Sequence, residues 1–343
     1  MIILARESRG LTQKDLAEKL KIEQSEISRL ESGFIPRLPD ERISALAKLL
    51  RYPKTFFFQS GNIYGMPTFF YRKHKGLPKK DLKQILAVMN VFRMNTEKLL
   101  SSVDIDFVAI KECTVAEYGS PEKIAQEIRQ YLRLPRGRVE NMTQVIERFG
   151  VIVIPYNFGS RKFSGASLAL EGGGHFVFIN EMCADRWRFT LAHELGHIIM
   201  HNFTKPDDPT EEEADRFASE FLMPEEDIYP HLSNISLDTL ASLKLYWRTS
   251  MSSILMKARD LGTISDRHYR SMWQKMGSLS YRLQEPPELE PPQEKPLLLK
   301  EIVDFHLLDL KFSPENLSER FCIEPEDFYK IYSIPKRHLR LVS

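Results

Sequence analysis

Cysteine is scarce in this chain of 343 residues, net charge is close to zero, and no apolar run is long. Cys113, Cys183 and Cys322 lie far apart and form no Cys-x-x-Cys pair. That excludes a disulfide framework and a thiolate metal site, and it fits a reducing compartment. A formal net charge of +1 excludes global attraction to nucleic acid or membrane, so either partner must be met by a local patch. No segment approaches the roughly 20 apolar residues that span a bilayer. The apolar run Met1 to Ala5 is broken at once by Arg6, Glu7 and Arg9, which is no signal peptide. A cytoplasmic protein with no membrane partner is expected. The glycine run Gly172-Gly173-Gly174 has the spacing of a turn and lacks that of a phosphate loop.

What is present is an ordinary globular composition, 42% hydrophobic and 28% charged, in a chain long enough for two or three domains. Residues 1–60 read as short helices. Leu16, Ala17 and Leu20 on one and Ile27 and Leu30 on the next sit at core spacing for two helices crossing at a tight turn, with Thr12 as a cap and Gly33 at the stop. This stretch resembles the helix-turn-helix of the phage-repressor (Xre-type) family. The resemblance implies that the second helix enters the major groove of an operator-like double-stranded DNA site. Gln24, Ser25, Ser28, Arg29 and also Glu26 would then reach base edges, with Gln13 near phosphate. Lys21 stands in the turn where the family often has glycine. With 11 Lys/Arg against 8 Asp/Glu the region is only mildly basic, so specific binding calls for a dimer on a two-part site, or the helices dock on protein instead.

Residues 61–110 read as a basic connection and a linker helix. The stretch 69–83 carries six basic side chains and one acid, either an auxiliary nucleic-acid contact or a solvated joint. The helix from Lys80 to about Val103 is expected to space the head from the next domain, or to pair with its copy in a homodimer. Residues 111–225 read as an α+β domain. Two helices lead to a strand at Val151–Pro155, and strands near Gly165–Leu170 and His175–Asn180 have the shape of a hairpin.

The chemistry is carried by Trp187–His201, which contains His193-Glu194-Leu-Gly-His197. Residues four apart share a helix face, so His193 and His197 can aim two imidazoles at one metal ion, and Glu194 can take a proton from its water. A catalytic zinc needs a third protein ligand. His201 lies about 12 Å beyond His193 along the axis, too far for the same ion. It is expected to close the helix or hydrogen bond nearby. On the following helix, Ala214, Phe217, Ala218, Phe221 and Leu222 form an inward stripe that includes Glu211, whereas Glu212 and Glu213 project away. A carboxylate on an apolar face is costly unless paired or bound to metal, so Glu211 is the candidate third ligand. Asp215, one turn on, can orient a ligand histidine. His175, Tyr156, His231 and Arg188 are unranked candidates for stabilising an oxyanion.

Phe189–His197, Glu211-x-x-Ala214-Asp215-x-Phe217-Ala218 and Phe221–Pro224 together resemble the ImmA/IrrE family of zinc metallopeptidases. The resemblance implies a zincin-like, gluzincin-type fold, with Zn2+ held by His193, His197 and Glu211 and Glu194 as general base. It also implies a protein substrate of the Xre-type repressor or antitoxin-like class. The expected architecture is therefore multi-domain: an all-α helix-turn-helix head, an α+β metallopeptidase domain and an α-helical C-terminal region. In that last region, 226–283 is a helical extension with a loose second helix-turn-helix pattern at 237–262. Residues 284–296 form a proline-rich acidic linker, and 297–343 a small helical appendage of unread function. The competing reading is a transcriptional regulator or antitoxin whose zincin domain senses or scaffolds without cutting.

Overall fold

The computed structural model describes residues 1–34, 39–59, 78–103, 108–157, 164–169, 174–201 and 208–332. Residues 69–77, most of the basic stretch, and the glycine turn at 172–173 lie outside them. The chain divides into two compact units, one of Met1–Met66, His74–Ile105 and Leu298–Ser343 and one of Pro67–Lys73 and Asp106–Leu297.

The first unit begins with α1 (Ile2–Ser8), α2 (Gln13–Leu20), α3 (Gln24–Glu31) and α4 (Asp40–Leu50). Thr12 opens α2 through a reciprocal capping box with Asp15. Lys21 closes it in the left-handed conformation, φ 57°, which turns the chain into α3 and which glycine would adopt with less strain. Leu16, Ala17, Ile27 and Leu30 meet in the core as their spacing requires. α5 (Lys79–Leu100) differs from a spacer: every residue from Ala87 to Thr96 is buried, so the helix is covered on all sides. α1 packs on it, and so do α15 (Leu298–Leu308) and α16 (Pro314–Phe321), which return from the far end of the chain. α17 (Pro325–Ile331) follows α16.

In the second unit, α6 (Val115–Tyr118), α7 (Pro121–Tyr131) and α8 (Met142–Glu147) are opened by Thr114, Ser120 and Asn141, each accepting from a backbone N–H of the first turn. β1 (Val151–Pro155) pairs in parallel with β3 (His175–Ile179), and β2 (Gly165–Ala169) pairs antiparallel with β3, giving the order β1-β3-β2. α9 (Ala184–Met200) contacts β2 and β3, and α10 (Asp208–Leu222) packs against α9 and α7. After α11 (Glu225–Ile228), α12 (Leu237–Trp247) and α13 (Met251–Asp260) bury Leu240, Trp247, Met251, Ile254 and Leu255 in the core that holds Leu191 and Leu195 of α9. The helix-turn-helix pattern at 237–262 is thus spent on packing. α14 (Asp266–Ser278) adds Met272 and Met276.

The acidic segment after α14 is bound to this unit. Glu285 accepts from the N–H groups of Met251 and Ser252 at the start of α13, Glu290 from Ala184 at the start of α9, and Glu294 from Met142 and Thr143 at the start of α8. Each carboxylate meets the positive end of a helix. Lys244, fully buried, pairs with Asp185 and Glu285, and buried Arg188 pairs with Glu294. The composition of this segment reads as a linker because proline and charge register in a sequence, whereas the helix ends that take up the charge do not.

Candidate metal centre

α9 presents His193, Glu194 and His197 with 4%, 1% and 7% exposure, so the helix runs through the interior with its polar side turned to α10. Gly196 lets α10 come close: a Cβ there would stand 3.0 Å from Cδ1 of Phe217 and 3.4 Å from Cα of Ala214. Its φ is helical, so glycine is required here for space. The close approach brings Glu211 onto the two histidines.

The Nε2 atoms of His193 and His197 are 3.0 Å apart. Oε2 of Glu211 is 3.6 Å from the first and Oε1 is 3.3 Å from the second. Donor atoms on one tetrahedral ion with bonds of about 2.0–2.1 Å stand about 3.3 Å from each other, so these three residues fit a shared metal ion. Oε2 of Glu194 is buried beside them and accepts no hydrogen bond among the described residues, a costly state for a carboxylate that a metal-bound water would relieve.

Both histidines are held from behind. Nδ1 of His193 is 2.7 Å from Oδ1 of Asp215, the contact expected of that residue. Nδ1 of His197 is 2.9 Å from Nδ1 of His201, whose Nε2 is 3.0 Å from Oε2 of Glu213. With Nε2 of His197 facing a metal, its Nδ1–H donates to His201, and Nε2–H of His201 donates to Glu213. Burial lowers the His201 pKa, partly offset by Glu213, in keeping with a neutral ring in this chain of donors. Glu213 does not project away, as its position on the helical wheel suggests, because the wheel ignores the reach of a glutamate toward the end of α9. Arg188 is excluded as an oxyanion donor: Glu294 and the carbonyl of Val139 occupy it.

On the first unit, Gln24 donates to Gln13 (2.7 Å) and Gln13 to Glu31 (2.7 Å), which Arg6 of α1 also holds. Ser25 and Arg29 are exposed on the same helix and Ser28 is half-buried. Glu26 pairs with Arg42 of α4.

A buried His-Glu-x-x-His helix completed by a carboxylate from the next helix defines a metallopeptidase-like domain. Residues 146–259 match the family of the IrrE N-terminal-like domain, and residues 2–57 match the helix-turn-helix family. The first match runs from α8 to the end of α13 and includes the sheet, α9 and α10. No curated protein matches the chain. The chain thus carries an Xre-like helix-turn-helix domain and a metallopeptidase-like domain similar to the IrrE and ImmA type. Among the described residues no helix is long and apolar enough to cross a membrane.

Proposed function

We propose that the chain is a cytoplasmic DNA-binding regulator whose second domain is a zinc endopeptidase acting on an Xre-type repressor or antitoxin-like protein. The observation that carries this reading is the convergence of His193, His197 and Glu211 at tetrahedral donor spacing beside the buried Oε2 of Glu194, which has no hydrogen-bond partner among the described residues. His193, His197 and Glu211 would hold a zinc ion, which would supply a water of near-neutral pKa and polarise a carbonyl. Glu194 would take the proton of the attacking water and pass it to the leaving amine. Asp215, His201 and Glu213 hold the imidazoles in the tautomer that presents Nε2. β2 has one strand neighbour among the described residues, and at Gly165 an added Cβ would lie 2.9 Å from Thr190 Cγ2 and 3.8 Å from Oε1 of Glu194. An extended peptide added to that edge passes close to the general base.

The test compares wild type with Glu194→Gln at equal zinc content, with Xre-type proteins as substrates. Wild type is expected to cut and the variant to lose at least about a hundredfold in rate. Cleavage by the variant at the wild-type rate would refute the mechanism. If neither protein cuts while both hold zinc, the domain is a sensor or scaffold.

A further inference from the structure

The two ends of the chain repeat one motif. Leu16, Leu20, Ile22 and Ile27 correspond at one constant offset to Leu317, Phe321, Ile323 and Phe328. α2 and α16 have the same length and each opens on a capping box, Thr12 with Asp15 and Ser313 with Asn316. Each ends on a left-handed residue, Lys21 (φ 57°, ψ 43°) and Cys322 (φ 54°, ψ 43°). The next helix starts at Glu23 (φ −73°, ψ 142°) in one and Glu324 (φ −66°, ψ 142°) in the other. Capping, turn and core positions agree, which is the local definition of a helix-turn-helix.

The positions that would meet DNA do not agree. Gln13, Gln24 and Ser25 are replaced by Pro314, Pro325 and Glu326, and Glu26 by Asp327. From Phe312 to Tyr332 there are five acids and two bases, a surface that phosphate repels. The acidic edge is instead engaged by the first helix-turn-helix. Asp327 accepts from Arg9 at 2.8 Å, and Arg9 also donates to the carbonyls of Leu50 (2.7 Å) and Arg51 (2.7 Å) and lies over the Tyr52 ring. Arg9 ends α1, whose Arg6 holds Glu31 and, through it, the Gln13 and Gln24 pair at the groove edge.

We propose that residues 312–332 are a second, diverged helix-turn-helix whose ligand is the first one, so that the DNA-reading unit is closed by the two ends of the chain. The effect on DNA rests on the first helix-turn-helix binding DNA, which wild type tests on its own in the same assay.

The experiment uses the full chain as wild type, Asp327→Arg and Glu326→Arg, with a duplex that wild type selects from a random pool. Both substitutions change charge by the same amount, and electrostatics alone makes both tighten DNA binding. The Glu326 pair with Arg51 is exposed, whereas Asp327 is part-buried against Arg9. Docking therefore predicts that Asp327→Arg weakens binding at least about tenfold while Glu326→Arg does not. Equal or tighter binding by Asp327→Arg overturns the proposal. Hydrogen exchange decides the docking independently of DNA. Asp327→Arg should speed exchange in α1 and α3 and leave α9 as protected as in wild type, and unchanged exchange in α1 and α3 overturns the proposal even if wild type selects no duplex.

Discussion

Gly196→Ala isolates what brings the two halves of the metal site together. Its Cβ would stand 3.0 Å from the Phe217 ring, against about 3.5–4.0 Å for a relaxed carbon contact, so something must move by about half an ångström. Phe217 is fully buried and stacked on Phe221 with ring centroids 5.5 Å apart, which leaves the ring little room. The cheaper response is for α10 to retreat, carrying Glu211 with it. Alanine gains about 1 kcal/mol over glycine inside a helix, and overpacking costs about 1–3 kcal/mol, so the apo protein should lose no more than about 2 kcal/mol. Metal ligation tolerates only about 0.2 Å, so zinc affinity should fall at least about tenfold. Chelator competition on both proteins measures the affinity, and thermal unfolding without metal measures the stability. Unchanged zinc affinity would refute the argument that the spacing of α9 and α10, set by Gly196, places the third ligand.

Asp215→Ala should weaken zinc about 10–100-fold without unfolding the domain, because His193 loses the acceptor at its Nδ1; the same competition assay checks it, and wild-type affinity removes Asp215 from the site. Lys244→Met leaves Asp185 and Glu285 buried without their cation and should cost about 3–5 kcal/mol in denaturant unfolding. A loss under about 1 kcal/mol would show that this pair is dispensable. Burial pushes the His175 pKa down to about 4, below the ordinary value of about 6.5. The unfolded chain then binds the proton first as pH falls, so this residue's share of stability is present above about 6.5 and is lost toward pH 4. Between pH 7 and pH 5 the loss is about 2 kcal/mol, and His175→Gln should lack it in urea titrations at the two pH values.

How much was legible in the sequence differs between local and distant features. Helical periodicity and the four-residue rise bring His193 and His197 onto one face, put Glu211 on an apolar stripe and set Asp215 one turn beyond it. The capping pattern at Thr12 and the turn at Lys21 were legible for the same reason: they are set by neighbours within four residues. The role of His201 was half visible, since its distance from His193 excluded it as a ligand. Its bond to Glu213 was hidden, because that depends on how two helices approach.

Sequence alone placed the helix-turn-helix, the His-Glu-x-x-His helix and the candidate third ligand, because each rests on short-range spacing that backbone geometry enforces, while the class of protein followed from the family resemblance that these residues carry. Only the tertiary structure decided that α5 is a covered core helix and not a spacer, that Glu285, Glu290 and Glu294 close three helix ends, and that residues 298–332 share a unit with residues 1–59. Those facts depend on pairings between residues far apart in the chain. A charge or an apolar face records in the sequence that it needs a partner, but which distant element supplies it is settled when the chain packs.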